Sequence, residues 1–190
     1  YISLINASVS HPDHGFCATI RGIALAIVSG YVRQPHAVQR PLLTIPECDV
    51  PNLLVFDLDG TLVDTAPDLL GALNVTLKAE GLGPLGIDEV RMLVGAGVRA
   101  LVERGLNHHG RNVPESRIDE LMKVFLAHYT DHIADASRPY PGVLDCLLDL
   151  KSQGWRFAVC TNKLEAYSVK LIRQLKMSHW FEAICGGDTF

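Results

Sequence analysis

Two aspartates, Asp57 and Asp59, stand where the apolar run Leu53–Phe56 ends, in the segment Asp57-Leu-Asp-Gly-Thr61. A continuous apolar run of this length before a turn predicts a buried parallel strand. Ligands bind beyond the carboxyl ends of such strands, and side chains two residues apart on an extended chain point the same way. Because two neighbouring carboxylates repel each other, we expect them to hold a hard divalent cation such as magnesium.

These groups together predict the hydrolysis of a phosphate ester. One carboxylate can attack phosphorus to form an aspartyl-phosphate, and a second carboxyl can protonate the leaving alkoxide and then deprotonate the attacking water. The competing interpretations are an acidic turn in solvent and a partial calcium loop. A calcium loop needs oxygen ligands at several further alternate positions, whereas apolar residues separate Asp59 from the next acidic residue, Asp64. We therefore favour the catalytic interpretation.

A second polar pair, Thr161-Asn162, directly follows an apolar run over residues 155–160 that predicts another strand. A hydroxyl and an amide at a strand end, before the N-terminus of a helix, can bind a phosphate group. Threonine and asparagine are also preferred helix caps, so capping is the competing interpretation. The expected position of this strand beside the first one favours phosphate binding.

The elements that must position these side chains change character along the chain. Apolar residues at helical spacing, with no strand signal, predict an all-helical stretch over residues 64–138 that begins with Thr65 as an N-cap. After it, helices over 143–152 and 163–177 alternate with strands over 155–160 and 181–185, the last ended by Gly186-Gly187. Such alternation favours an α/β fold with a parallel sheet, here divided between residues 52–63 and 139–190.

The composition indicates a globular protein and argues against two classes of partner. Hydrophobic residues make up 48% of the 190 residues and charged residues 20%, as is typical of a folded domain. The net charge of −4, without a basic stripe, argues against nucleic-acid binding. The apolar run over residues 22–32 is shorter than the roughly 20 residues that span a bilayer, so we expect no membrane partner.

The five cysteines contain no Cys-x-x-Cys pair and no spacing typical of a metal site. We interpret them as structural residues in a reducing compartment, which favours a cytoplasmic location. Residues 1–51 carry no motif that predicts a function, and we treat them as an extension of the domain that follows.

Several segments carry a resemblance to a known family. Phe56-Asp-Leu-Asp-Gly-Thr-Leu62 resembles the first motif of the haloacid dehalogenase superfamily of phosphatases, and Cys160-Thr-Asn-Lys163 resembles its second. Residues 91–104, Pro139-Tyr-Pro-Gly-Val143 and Phe181-Glu-Ala-Ile-Cys-Gly-Gly-Asp-Thr189 are similar to bacterial phosphoglycolate phosphatases. The resemblance covers about residues 52–190, and it implies a Rossmann-like core with an inserted helical cap over residues 64–138.

The resemblance also implies roles for individual residues. Asp57 would be the nucleophile and a magnesium ligand, and Asp59 the acid/base, which also lends its backbone carbonyl to the metal. Thr161 and Asn162 would bind the phosphate. The implied reaction converts a small phosphoester, 2-phosphoglycolate, to glycolate and phosphate. Another small-phosphoester phosphatase, or a phosphosugar mutase of the same superfamily, is the alternative.

The chain departs from the family pattern after the last predicted strand. In the family, a lysine motif and then an acidic motif with another magnesium ligand follow, whereas this chain ends at Phe190 before both. We assign neither role to Lys163 or Asp188, and we expect Asp188 to be a loop or capping residue. Little turnover is therefore expected of these 190 residues alone, and a catalytically incomplete fragment is a further alternative.

Three arginines in the helical stretch, Arg91, Arg99 and Arg104, could supply positive potential to a substrate carboxylate. Solvated helix faces explain the same residues equally well.

Overall fold

The computed structural model describes residues 53–91, 94 and 97–189, together with the backbone of residues 2–4. Within these residues the strands are β1 (Ile2–Leu4), β2 (Leu53–Phe56), β3 (Val63–Asp64), β4 (Arg138–Pro139), β5 (Arg156–Cys160) and β6 (Ala183–Cys185). The α-helices of the same residues are α1 (Ala66–Ala79), α2 (Ile87–Arg91), α3 (Val98–His108), α4 (Glu115–Asp131), α5 (Val143–Ser152) and α6 (Glu165–Gln174). A 3-10 helix, Ser178–Trp180, precedes β6.

The main sheet has the strand order β1-β2-β5-β6. Strand β5 lies between β2 and β6 and is parallel to both, while β1 pairs antiparallel with β2. The buried rings of Phe56 and Phe157 lie 5.9 Å apart, which joins β2 and β5 through their side chains as well as their backbones. The α/β expectation is confirmed, and the carboxyl ends of β2 and β5 lie at the same edge of the sheet.

Along the chain, helices α1 to α4 come between β3 and β4. They form a second layer, the helical layer. Helix α1 packs against α3 and α4, and a Cβ added at Gly105 of α3 would lie 2.9 Å from Leu73 Cδ1 of α1, so the two helices approach closely. Strands β3 and β4 pair antiparallel where the chain enters and leaves this layer, with Val63 opposite Pro139. This two-stranded ribbon was not predicted, so the all-helical expectation is wrong at the two ends of residues 64–138.

Individual helix ends follow local sequence signals. Helix α1 begins after Thr65, as expected, and has Pro67 and Asp68 in its first turn, although the Thr65 side chain makes no capping hydrogen bond. The helix predicted over residues 163–177 is shorter than expected. It ends at Gln174, and Lys176 two residues later has a left-handed φ of 59°.

Asp68 ties the first turn of α1 to the segment that leaves the helical layer. Its carboxylate, only 6% exposed, accepts hydrogen bonds from Ala136 N at 2.9 Å, Ser137 N at 2.7 Å and Ser137 Oγ at 2.6 Å. Two backbone donors and a buried hydroxyl thus depend on one side chain.

Replacing Asp68 by alanine is expected to lower the free energy of unfolding by about 3 kcal/mol, because three donors lose their partner in a site closed to water. Urea denaturation followed by circular dichroism measures this change. Asp149→Ala, at an exposed position in the middle of α5, is the matched control and should shift the free energy of unfolding by under about 0.5 kcal/mol. Equal effects of the two substitutions would contradict the role given to Asp68.

Some expectations fall on residues outside the described ranges. They are the extension over residues 1–51 apart from the backbone of 2–4, its apolar run over residues 22–32, Cys17 and Cys48. Within the described ranges, no helix is both long enough and apolar enough to cross a bilayer.

Candidate active site

A cavity of about 250 Å³ opens at the carboxyl edge of β2 and β5, beneath the helical layer. All four site residues predicted from the sequence, Asp57, Asp59, Thr161 and Asn162, line it. The side towards the helices is mainly apolar and is formed by residues of α1, α3 and α4 and the segment before α3: Leu69, Val94, Gly97, Val98, Arg99, Leu101, Met122 and Leu126.

The loop after β2 is held by one buried backbone carbonyl. Leu58 is fully buried, and its carbonyl oxygen accepts hydrogen bonds from the N–H groups of Thr61, Leu62 and Val63 at 3.1–3.3 Å. Gly60, with a φ of 75°, donates to Val63 O at 2.9 Å, and this left-handed conformation favours glycine. The loop therefore fixes the backbone on both sides of Asp57 and Asp59.

Asp57 presents an available carboxylate oxygen to the cavity. Its side chain is exposed, and Oδ1 accepts a hydrogen bond of 2.7 Å from Leu58 N. Among the described residues, no hydrogen bond is made to Oδ2. That oxygen can attack an electrophile or bind a cation without first breaking a hydrogen bond to any of the described residues.

Asp59 is bound by Lys163, a residue for which no role was predicted. Lys163 Nζ lies 3.1 Å from Oδ1 and 3.0 Å from Oδ2 of Asp59, and the two side chains are 6% and 13% exposed. The same ammonium lies 4.8 Å from the ring centroid of Tyr129 on α4. Repulsion between the carboxylates of Asp57 and Asp59 is thus relieved in part by a protein cation.

The charge state of Lys163 follows from these neighbours. Burial alone would lower the pKa of Lys163, but the Asp59 carboxylate and Tyr129 raise it by more, so the net pKa is raised and the ammonium stays charged. Burial likewise raises the pKa of Tyr129 to about 12, and its phenol stays neutral. The lysine therefore acts as a fixed positive charge at neutral pH.

Thr161 and Asn162 lie at the cavity and do not cap the next helix. Thr161 is 8% exposed, its N–H donates to Cys185 O at 3.0 Å, and Asn162 is exposed. The first N–H of α6, that of Glu165, instead donates to Asp188 Oδ1 at 2.7 Å. The capping role expected for Asp188 is confirmed, which leaves the side chains of Thr161 and Asn162 at the cavity.

Two glycines after β6 let the chain pass close to the loop between β5 and α6. A Cβ added at Gly186 would lie 2.2 Å from Glu165 N and 2.7 Å from Lys163 O, and one at Gly187 would lie 2.8 Å from Asn162 O. Gly187 N also donates to Lys163 O at 3.0 Å. The backbone after β6 therefore packs directly against the backbone of Asn162 and Lys163. This close approach leaves no room for a side chain at positions 186 and 187.

The donors at the cavity suit a hard cation. The described residues contain no group of three or more His, Cys, Asp or Glu side chains placed to hold a metal ion. Magnesium, however, is commonly held by one or two carboxylates and keeps several waters. The available oxygen of Asp57 fits this pattern, whereas Lys163 already engages both side-chain oxygens of Asp59.

Two of the arginines considered for a substrate carboxylate, Arg91 and Arg99, have acidic partners. Arg99 lines the cavity but donates to Glu115 Oε2 at 2.7 Å and also pairs with Asp119. These two carboxylates raise the pKa of Arg99 and offset its charge. Arg91 pairs with Asp64 at 2.5 Å.

Comparison with known proteins places this fold and site in a family. The family model described as haloacid dehalogenase-like hydrolase matches residues 54–190. A phosphoglycolate phosphatase of Caulobacter vibrioides is 49% identical over 135 residues, which cover 71% of this chain and 57% of the relative. One from Mesorhizobium japonicum is 46% identical over 138 residues, covering 73% and 61%. The chain therefore spans less than two thirds of the length of these curated relatives.

The fold comparison agrees with the sequence comparison. A crystal structure described as a predicted phosphoglycolate phosphatase from Haemophilus somnus matches with a TM-score of 0.66 at 30% identity, over 73% of this chain and 63% of that chain. The matched family model covers most of the chain, including β2, β5 and the cavity between the sheet and the helical layer. The resemblance stated from the motifs is confirmed: the chain belongs to the haloacid dehalogenase-like hydrolase family.

Proposed function

We propose that the intact protein hydrolyses a small phosphate monoester, 2-phosphoglycolate, to glycolate and phosphate. The observation that carries this proposal is the pairing of an available carboxylate, Asp57, with a lysine-bound carboxylate, Asp59, in one small cavity. The relatives named phosphoglycolate phosphatase support the choice of substrate.

Asp57 and Asp59 have different roles in the proposed reaction. The free oxygen of Asp57 attacks phosphorus, so that a new O–P bond forms as the bond from phosphorus to the alkoxide breaks. Asp59, which enters this step in its protonated form, gives that proton to the departing alkoxide. A water then attacks phosphorus, gives its proton to Asp59, and releases phosphate from Asp57. Both residues end the cycle as they began it.

Thr161 and Asn162 would hold the phosphoryl oxygens during both steps. The Thr161 hydroxyl and the Asn162 amide lie at the end of β5, beside the loop that carries Asp57. Hydrogen bonds from such groups fix the direction of attack and stabilise the charge that develops on the phosphoryl oxygens.

Asp57, and Asp59 through its backbone carbonyl, would hold magnesium, the cofactor proposed from the residues and from the family. The bound ion would offset the negative charge of the phosphoryl group as phosphorus is attacked. The donor set at the cavity, carboxylate oxygens without a thiolate or imidazole cluster in the described ranges, supports magnesium over a softer metal.

We propose that residues 64–138, which contain the helical layer, act as a cap over the cavity. Its apolar side chains, including Val98, Leu101 and Met122, face the carboxylates across the cavity. Such a wall keeps bulk water from the aspartyl-phosphate and limits the volume open to the substrate. We also propose a cytoplasmic location, which Cys146 and Cys160, two thiols outside any disulfide, support.

The proposal is tested by phosphate release from 2-phosphoglycolate in the presence of magnesium. We expect the intact protein to hydrolyse it with a kcat/KM at least about 10-fold above that for hexose phosphates, because the cavity is small. Removal of magnesium with EDTA should abolish release, and added magnesium should restore it. A preference for hexose phosphates, or full activity in EDTA, would contradict the proposal.

A further inference from the structure

Tyr129 of α4 contacts the proposed acid/base through a single lysine. Its side chain is 1% exposed, and Lys163 Nζ lies 4.8 Å from the centroid of its ring. The same Nζ lies 3.0 and 3.1 Å from the carboxylate oxygens of Asp59. One ammonium group therefore contacts both a residue of the helical layer and a residue of the loop after β2.

The ring face of Tyr129 contacts the ammonium of Lys163. The hydroxyl oxygen has no hydrogen-bond partner within the described ranges. An aromatic face attracts a cation, and the attraction is strongest where water is excluded, as at Lys163, whose side chain is 6% exposed. A lysine side chain has several rotatable bonds, so a second contact besides Asp59 restricts where its ammonium can lie.

The ring itself is held in place by α4 and α6. Its centroid lies 5.8 Å from that of Phe125 on α4 and 6.1 Å from that of Tyr167 on α6. Next to it, Lys170 Nζ of α6 donates to Thr130 O at 2.5 Å. The end of α4 is thus fastened to the sheet side of the cavity at the point where Tyr129 contacts Lys163.

We propose that Tyr129 is a positioning residue for the phosphatase reaction: it holds Lys163 against Asp59, and Lys163 holds the Asp59 carboxyl where it can protonate the leaving alkoxide. This inference rests on the proposed function. It assigns to the helical layer a contribution to the proton-transfer step, in addition to covering the cavity. Tyr129 does not line the cavity, so its effect on the reaction passes through Lys163.

Two substrates with different leaving groups separate positioning from general stability. An alkyl phosphate needs a proton on its leaving oxygen, whereas 4-nitrophenyl phosphate releases a phenolate that leaves without one. The quantity kcat/KM reports steps up to the departure of this group. In the intact protein, Tyr129→Leu should lower kcat/KM at least about 10-fold for the alkyl ester and under about 2-fold for 4-nitrophenyl phosphate. Tyr129→Phe, which keeps the ring, should stay within about 2-fold of wild type for both.

A fluorinated series covers the case in which the leucine variant fails to fold. Phenylalanine rings with successively more fluorine keep the shape of the side chain but weaken the attraction of the ring face for a cation. Placed at position 129, these rings should lower kcat/KM for the alkyl ester stepwise and leave kcat/KM for 4-nitrophenyl phosphate unchanged. Equal losses for both esters, or no loss along the series, would overturn the inference.

A spectroscopic measurement separates this inference from the substrate proposal. A buried, hydrogen-bonded ammonium gives a slowly exchanging proton signal in NMR spectra. The signal that disappears in Lys163→Met is the signal of Lys163. We expect this signal to persist in Tyr129→Phe and to broaden as fluorine is added. An unchanged signal throughout contradicts the positioning role, even if the protein hydrolyses no phosphoester. Conversely, a protein inactive on 2-phosphoglycolate that shows the expected broadening would contradict the proposed substrate alone.

Discussion

Replacing Asp57 by asparagine is expected to lower kcat on 2-phosphoglycolate by at least about 10³-fold, because an uncharged amide is a poor nucleophile. The same change removes the carboxylate that is proposed to bind magnesium. No other described carboxylate is placed to substitute for it, since both oxygens of Asp59 are engaged by Lys163. The loss should therefore appear in the chemical step and in the affinity for magnesium.

The fold should survive this substitution. Asp57 is exposed, and the hydrogen bond that its Oδ1 accepts from Leu58 N at 2.7 Å can be accepted equally by the amide oxygen of asparagine. We expect the free energy of unfolding to change by under about 0.5 kcal/mol. Chemical denaturation measures this value, and the rate of phosphate release measures the loss of activity.

Trapping the intermediate identifies the attacking group directly. Wild-type protein quenched in acid during turnover should carry a phosphoryl group on Asp57, and Asp57→Asn should carry none. Asp149→Asn, at an exposed position on α5 away from the cavity, is the matched control and should turn over at the wild-type rate. Hydrolysis by the Asp57→Asn variant at a normal rate would refute the nucleophile assignment.

The parallel strands, and the position of both polar pairs (Asp57 and Asp59, Thr161 and Asn162) at one edge of the sheet, could be predicted because short-range sequence patterns determine them. The apolar runs before Asp57 and Thr161 became the paired strands β2 and β5, with Phe56 opposite Val159. Parallel pairing then brings the two strand ends to one edge, and both polar pairs line the same cavity there. Nothing beyond the burial of apolar side chains was needed for this part of the prediction.

Contacts between distant side chains could not be predicted in the same way. Lys163 bonds to Asp59, a residue 104 positions earlier, and lies over the ring of Tyr129. No periodicity specifies such a pairing, because it depends on how far one flexible side chain reaches in the folded protein. A lysine adjacent to a polar pair at a strand end was the one local signal that could have indicated it.

Arg99 is a residue for which the sequence left two interpretations open. Its charge suggested attraction for a substrate carboxylate, but Glu115 and Asp119 of α4 pair with it across the contact between two helices. The glycines after β6 were likewise interpreted only as the end of a strand. Their main role, the close approach of backbone to the loop between β5 and α6, depends on tertiary packing.

A side chain at position 186 should disturb this close approach. Gly186→Ala is expected to lower the free energy of unfolding by about 3 kcal/mol, because its Cβ would lie 2.2 Å from Glu165 N and 2.7 Å from Lys163 O. Both contacts are with backbone atoms, so no side-chain rotation can relieve them. The loop must shift, and Asn162 and Lys163 move with it. A displacement of this kind should lower kcat/KM roughly 100-fold.

Gly71→Ala is the matched control because it makes the same chemical change inside helix α1. Among the described residues, a Cβ there would meet only His128 Nε2 at 3.7 Å, an ordinary contact, and alanine favours the helix. This variant should raise the free energy of unfolding by about 0.5–1 kcal/mol and leave kcat/KM unchanged. Urea denaturation and phosphate release, measured on both variants, give the comparison. If Gly186→Ala were as stable and as active as Gly71→Ala, the loop after β6 could not be the support that keeps Asn162 and Lys163 in place.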